Sequence, residues 1–188
     1  MSQISIVKLS EVEKDGRFDA EFYKPEYLEV EKNLKKITFD RLVNLTKKID
    51  VGFVGTMASE YSREGVLLLQ TNNIDEFHLN LQNKIFINQE FNKKLKKSAV
   101  QEEDILIARS GSFGKASIYL DKEKVNSADI IIIQSNEKIN PFYLVTFINS
   151  NLGRSQLFKF ASGGLQGHVN LTILIWDILF ENFLHYRI

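Results

Sequence analysis

The stretch that decides the fold is Ala128-Asp129-Ile130-Ile131-Ile132-Ile133, in which four isoleucines follow one another directly. β-branched side chains favour extended backbone, because their restricted χ1 rotamers fit a pleated surface better than a helix. A run without polar alternation is typical of a strand that is buried on both faces. We therefore predict a buried strand over residues 128–133.

Other short apolar runs, each bounded by turn-forming residues, have the length and composition of strands. They lie at residues 48–51, 66–70, 84–87, 104–108 and 115–119.

Two segments have the apolar spacing of helices. The first covers residues 19–36, with Pro25 suited to a first helical turn. The second begins at Asn140-Pro141, a favourable N-cap followed by a proline at the first helical position. It is interrupted at Gly153 and ends before the pair Gly163-Gly164. Strands and helices together predict one compact α+β domain.

Composition narrows the class of protein. The 188 residues carry 24 lysines and arginines against 24 aspartates and glutamates, so no overall positive field draws the chain onto nucleic acid. Neutrality still allows a basic face on a domain that works inside a larger complex. With no cysteine and no signal-like start, a cytoplasmic protein without disulfides is expected.

The C-terminal residues 173–188 form an apolar tail that is set apart from the domain predicted over residues 1–172. The tail is interrupted by Asp177 and Glu181 and is shorter than the roughly 20 apolar residues of a membrane span. It either closes the core or forms an interface with a partner.

Two segments partly match catalytic motifs. Residues 109–117 place a glycine-lysine pair after a strand, as a phosphate-binding loop does, but Ala116 stands where that loop needs a hydroxyl for Mg²⁺. Asn140-Pro141-Phe142-Tyr143 is close to the Asn-Pro-Pro-Tyr type of motif of adenine-N6 methyltransferases, but it lacks the second proline. Since a turn and a helix start explain these segments, neither nucleotide hydrolysis nor methyl transfer is expected.

Metal-dependent and nucleophilic catalysis also lack a motif. Asp121, Glu123 and Lys124 only loosely imitate the carboxylates and lysine of a nuclease. The three histidines are far apart in the chain and no cysteine is present to complete a zinc site. We therefore expect no catalytic residue, no metal site and no cofactor.

Four segments, in this order, resemble the target-recognition domain of specificity subunits of type I restriction-modification systems. They are RFDAEFYKPEY at 17–27, LLQTNNI at 68–74, DILIARSGSFGK at 104–115 and SGGLQGHVNL at 162–171. The resemblance implies a mixed, strongly bent β-sheet flanked by helices at both ends.

The resemblance also implies a function without catalysis. Such a domain reads one half of a split site in double-stranded DNA, while methyltransferase subunits, and through them the restriction subunit, supply the chemistry. The long charged helix expected after the domain is missing, which suggests a half-length or truncated form and a possible homodimer. Two alternatives stay open: an assembly module with little DNA affinity of its own, and the recognition domain of a fused restriction-methylation enzyme.

Contacts with DNA phosphates are expected at two glycine-containing turns. In the first, Arg109 and Lys115 flank a turn that contains Ser110 and Ser112 and could neutralise phosphates, unless the turn is only a hairpin with solvated basic groups. In the second, Gln166 and His168 are the polar residues among glycines.

Base reading is expected from the stretches between the motifs, 46–63 and 72–97, because the motifs are shared by domains that read different sequences. Polar and basic side chains there can project into the major groove. The candidates are Lys47, Lys48, Tyr61, Arg63, Asn72 and Asn73, followed by the lysine run Lys93, Lys94, Lys96 and Lys97, which is alternatively a solvated face.

Overall fold

The computed structural model describes residues 3–36, 39–111 and 113–161 and the backbone of residues 179–181. The candidates Ser112, Gln166 and His168 lie outside the described residues, as do the Gly163-Gly164 helix end and most of the tail 173–188.

The described part of the chain confirms the α+β class, with helices near both ends of the chain and strands between them. The helices are α1 (Leu9–Asp15), α2 (Pro25–Leu34), α3 (Gln89–Lys94), α4 (Pro141–Asn149) and α5 (Asn151–Ala161). The strands are β1 (Phe39–Arg41), β2 (Thr46–Val51), β3 (Tyr61–Ser62), β4 (Val66–Gln70), β5 (Ile85–Ile87), β6 (Ala99–Val100), β7 (Ile105–Ala108), β8 (Ala116–Ile118), β9 (Val125–Ala128), β10 (Ile130–Ser135) and β11 (Leu179–Glu181).

These strands form two main sheets and a two-stranded pair of β1 and β11. The first sheet is antiparallel, with the order β2-β10-β7-β8. The second has the order β3-β5-β4-β9-β6 and is mixed, because β4 and β9 run parallel. Since β9 and β10 follow each other in the chain, one residue joins the two sheets, and the expected bent sheet is divided between them.

The isoleucine run forms the core of the first sheet. Ile131 and Ile133 of β10 belong to the apolar cluster that also contains residues of α4 and α5. Ile130 and Ile132 point to the opposite face, into a second cluster that includes Leu69 of the other sheet. All four isoleucines have 0% exposure, so the prediction of a strand buried on both faces is confirmed for residues 130–133.

The predicted boundary at residue 128 is wrong, because Asp129 separates two strands. Its φ of 53° lies in the left-handed region, which aspartate tolerates better than most residues. Its carboxylate accepts hydrogen bonds from Arg109 Nη1 and Ser110 Oγ, both at 2.6 Å. Thr71 Oγ1 donates to its carbonyl at 2.6 Å. These bonds hold the break that directs β9 into one sheet and β10 into the other.

The predicted first helix is shorter than expected. It begins at Pro25, whereas the Asp19 carboxylate caps a separate turn by accepting from Phe22 N at 3.1 Å and from Arg17 Nε at 2.7 Å. The bond from Arg17 is the largest cause that lowers the pKa of Asp19. Helix α1 was not predicted, since none of its residues is buried and it has no apolar stripe to signal it.

The start of the second helix is confirmed, because the Asn140 side chain accepts from Phe142 N at 2.8 Å and caps α4. The interruption lies at Ser150 instead of Gly153, which is inside α5. A Cβ at Gly153 would collide with the carbonyl oxygen of Phe147. Glycine is therefore needed for the close approach of the two helices, and it does not end either of them.

A buried lysine fastens α5 to α2. Lys159 is 3% exposed, and its Nζ lies 2.8 Å from Glu31 Oε2. The same ammonium lies 4.3 Å from the centre of the Phe22 ring, a distance at which a cation and an aromatic face attract each other. Helices α2 and α5 are thereby joined by a charge that has left water.

The left-handed backbone of Asp129, which separates β9 from β10, predicts a specific order of stabilities for two variants. Asp129→Asn keeps a residue that tolerates positive φ and retains one side-chain oxygen, so a loss of about 1 kcal/mol is expected. Asp129→Ala lacks both properties and is expected to lose about 2–3 kcal/mol. Urea unfolding of the three proteins measures the difference, and equal losses would contradict the role given to the break.

Removal of the buried ammonium of Lys159 should lower the free energy of unfolding far more than removal of the exposed ammonium of Lys35, which lies beside the same Glu31. Lys159→Ala leaves Glu31 without its close partner and should lower the free energy of unfolding by about 3 kcal/mol. Lys35→Ala is the control, because Lys35 lies 4.0 Å from Glu31 and is exposed, so less than about 1 kcal/mol is expected. Similar losses in urea unfolding would show that burial does not matter here.

Candidate nucleic-acid interface

A cleft of about 760 Å³ opens where the two sheets meet at Asp129. Its lining comes from five separate parts of the chain: the segment after β2, strand β3, the end of β4, the turn after β7, and the junction of β9 with β10. The lining residues are Phe53, Val54, Gly55, Met57, Tyr61, Gln70, Thr71, Asn72, Arg109, Ser110, Gly111, Ala128 and Asp129. The cleft thus brings together four sequence-predicted site residues, Tyr61, Asn72, Arg109 and Ser110.

The floor of the cleft is an ion pair. Arg109 and Asp129 have side chains that are 23% and 35% exposed, so their 2.6 Å contact lies at the boundary of the interior. The Ser110 hydroxyl donates to the second oxygen of the same carboxylate. A charged side chain is thereby held in one position while part of it still faces solvent.

The predicted turn that carries these groups contains two glycines with left-handed backbone. Gly111 and Gly114 have φ values of 63° and 80°, which favour glycine over residues with a Cβ. Gly114 N donates to the carbonyl of Ala108 at 3.2 Å and closes the turn.

The rim of the cleft carries two amides and a phenol. Gln70 Nε2 donates to the hydroxyl of Tyr61 at 3.1 Å. Tyr61 is 41% exposed, and Asn72 is exposed beside it on the same cleft. The Asn72 amide has no hydrogen bond to another described residue, and it faces solvent at the rim.

The wall opposite the rim depends on a close backbone approach. Gly52 N donates to the carbonyl of Ile130 at 2.7 Å, and Phe53 N donates to the carbonyl of Ser127 at 2.8 Å. A Cβ at Gly52 would lie 2.6 Å from Ser127 Oγ, so glycine is required there. The next ring, Phe53, packs edge to face against Phe91 of α3 with 5.6 Å between ring centres. The cleft is therefore rigid on this side.

The neighbouring candidate Asn73 has a structural role. It is 4% exposed, its Oδ1 accepts from Gln70 N at 2.8 Å, and its Nδ2 donates to the carbonyl of Asn80 at 2.9 Å. Because its amide is engaged by backbone groups in the interior, it cannot reach a base edge without leaving the fold. Sequence alone did not separate it from the exposed Asn72.

The candidate Lys115 pairs with an acid outside the cleft. Its Nζ lies 2.6 Å from Asp75 Oδ1. This hydrogen bond is the largest cause that lowers the pKa of Asp75. Phe77 N donates to the carbonyl of Ala116 at 2.9 Å, so the loop with Asp75 lies against β8. Lys115 therefore stabilises this loop.

Three further candidates also lie away from the cleft. Lys48 donates to the carbonyl of Lys97 at 3.0 Å and lies 3.1 Å from Asp50. It stands four residues before Gly52, roughly 13 Å along an extended strand. Lys47 lies in a different depression with Glu102 and Glu103, and Arg63 is exposed on the turn after β3.

Sequence reasoning missed Asp129, Gln70 and Phe53. A signal existed for Asp129, since an acid beside a run of four isoleucines needs a polar partner if it is to be tolerated there. Gln70 lies inside the quoted LLQTNNI segment, but its bond to Tyr61 depends on tertiary structure.

Among the described residues, no group of three or more histidines and carboxylates is placed to hold a metal ion. No helix in the described ranges is both long and apolar enough to cross a bilayer.

Comparison with known proteins identifies the fold. No family model and no curated protein matches the chain. A chain from a structure of a type I restriction-modification system superposes with a TM-score of 0.57 at 14% identity, covering 92% of this chain and 43% of that one. The type IIG restriction endonuclease BpuSI gives 0.62 at 14% identity, covering 94% and 28%. The HsdS subunit from Thermoanaerobacter tengcongensis gives 0.49 at 14% identity, covering 77% and 35%.

The chain thus spans less than half the length of each of these three proteins. At 14% identity the correspondence concerns the fold, and at that level it confirms the resemblance found in the sequence. Over more than nine tenths of the chain, the protein shares its fold with a chain of a type I restriction-modification system and with the type IIG restriction endonuclease BpuSI.

Proposed function

We propose that this domain recognises a sequence in double-stranded DNA as the specificity module of a restriction-modification system. The observation that carries the proposal is the cleft at Asp129, where side chains from separate loops converge in a fold that recurs in two restriction proteins. In both it occupies a minor part of a longer chain, as a module that directs other catalytic domains would do.

The rim of the cleft supplies the base-reading groups. Asn72 and Gln70 carry amides, which can bond to the N6 and N7 positions of adenine together. Tyr61 holds the Gln70 side chain by one of its amide hydrogens, so the rotamer of this side chain is restricted before DNA binds. Preorganisation of this kind lowers the entropy lost when a base is bound.

Arg109 is proposed to contact a phosphate. To do so, its guanidinium has to share or exchange the Asp129 carboxylate for a phosphate oxygen, because the two side chains are paired in the unbound protein. Sharing is favourable because a guanidinium has several N–H donors and can bind a carboxylate and a phosphate together, whereas full exchange leaves the Asp129 carboxylate with the Ser110 hydroxyl. Ser112, Gln166 and His168 remain proposed contacts on sequence grounds, as do Lys47, Lys48, Arg63 and Lys115.

The domain is proposed to be non-catalytic and to act for methyltransferase and nuclease subunits. The match to BpuSI favours a variant of this proposal, in which the domain is the recognition part of one long restriction enzyme. In either arrangement the bond-making steps belong to other domains.

A second candidate function, assembly, is favoured by the N-terminal segment. Ile4, Ile6, Leu9 and Phe18 are 83%, 96%, 68% and 82% exposed, which is unusual for large apolar side chains that lie close together in the chain. An assembly module would bind protein partners through such a surface and show no preference among DNA sequences.

Selection of bound duplexes from a random pool separates the two candidates. The full chain, together with the methyltransferase subunit of its own system, should enrich one sequence. Asn72→Ala should weaken binding to that sequence by about 1–3 kcal/mol and relax the preference at one base pair. Asn33→Ala is the control, since Asn33 is an exposed asparagine on α2 outside the cleft lining.

The absence of any enriched sequence would contradict the proposal and favour the assembly function. An unchanged preference in Asn72→Ala would remove the rim of the cleft from the reading surface.

A further inference from the structure

Four exposed lysines, Lys93, Lys94, Lys96 and Lys97, lie at the end of α3 and directly after it, and are called the lysine edge below. Within the described ranges, no carboxylate lies at ion-pair distance from any of the four. Like charges at this spacing repel each other, so the arrangement is stable only if solvent or an external anion neutralises it.

The lysine edge borders the cleft. β6 runs antiparallel to β9 with Ala99 opposite Asn126, two residues before Ala128, which lines the cleft and pairs with Phe53. Phe91 of α3 packs against the cleft residue Phe53. The lysines are thus displayed beside the proposed reading surface, on the side where α3 supports it.

The segment that displays the lysines is anchored at both ends. Leu95 is 8% exposed and belongs to an apolar cluster with Met57 of the cleft lining. Ser98 is 3% exposed and donates to Asn126 Oδ1 at 2.6 Å. Asn126 Nδ2 in turn donates to the carbonyl of Leu95 at 3.1 Å. Lys96 and Lys97 therefore extend from a rigid backbone, which a merely solvating surface does not need.

Arg109 and Lys115, the basic residues expected from the sequence to bind phosphate, differ from the lysine edge because they already have carboxylate partners. Arg109 and Lys115 are each paired with an internal carboxylate at 2.6 Å, so a phosphate has to compete with Asp129 or Asp75 for them. No such competition exists for the lysine edge. Its ammonium groups can contact a polyanion with only the loss of hydration and counterions.

We propose that the lysine edge binds the phosphate backbone of the duplex whose base edges face the cleft. The inference rests on the proposed DNA recognition and specifies which surface supplies the affinity that is independent of sequence. The major groove is about 12 Å wide, so base edges at its centre lie within that distance of the flanking phosphates. Helix α3 has six residues and is therefore about 9 Å long, which is enough to span such a separation.

The test measures the salt dependence of DNA affinity. Each lost phosphate contact reduces the slope of log K against log salt concentration by about 0.9. The double variant Lys96→Gln/Lys97→Gln should therefore lose about 2 units of slope while it selects the same sequence as the wild type. Addition of Lys93→Gln and Lys94→Gln should lower the slope further.

The matched control is Lys122→Gln/Lys124→Gln, which removes the same charge. Both lysines are exposed, and Lys124 lies at the end of β9 away from the cleft, roughly 13 Å along the strand from Ala128. Its slope should equal that of the wild type. Thermal unfolding checks that each variant keeps the fold.

The outcomes separate this inference from the proposed function. If the wild type selects a sequence but Lys96→Gln/Lys97→Gln loses no more slope than the Lys122→Gln/Lys124→Gln control, the lysine edge is not the phosphate surface. Only this inference is then overturned. If the wild type selects no DNA sequence at all, the proposed function fails and the inference fails with it.

Discussion

The burial of β10 on both faces is the constraint on which the rest of the structure depends. Ile131 and Ile133 require an apolar layer on one side, which α4 and α5 supply. Ile130 and Ile132 require another on the opposite side, where residues of the second sheet pack. Removal of four such side chains from water contributes several kcal/mol in total, so neither layer can be lost without exposing the strand.

The same constraint creates the cleft. The chain leaves one sheet at the end of β9 and enters the other at the start of β10, so it has to change direction between them. The left-handed backbone of Asp129 makes this change. Its buried or half-buried polar atoms need partners, and Arg109, Ser110 and Thr71 provide them. The polar floor of the cleft is therefore a consequence of how the two sheets are joined.

Charge is segregated in this protein although the net charge is zero. Basic groups within the framework, such as Arg109, Lys115 and Lys159, are paired with carboxylates. The lysine edge has no such partner among the described residues, and it lies beside the cleft. A neutral chain can thus present a local positive surface, because screening over about 8 Å at physiological salt makes the local arrangement of charges more important than their sum.

The sequence by itself determined the features that depend on neighbouring residues. These include the buried isoleucine strand, the Asn140 cap and the glycine turn around Gly111, since β-branching, side-chain capping and positive φ act within a few residues. The tertiary structure alone decided the pairing of β4 with β9, the carboxylate partners of Arg109 and Lys115, and the burial of Asn73 beside the exposed Asn72. Each of these depends on contacts between residues far apart in the chain, and a local pattern carries no information about which distant group will be brought near.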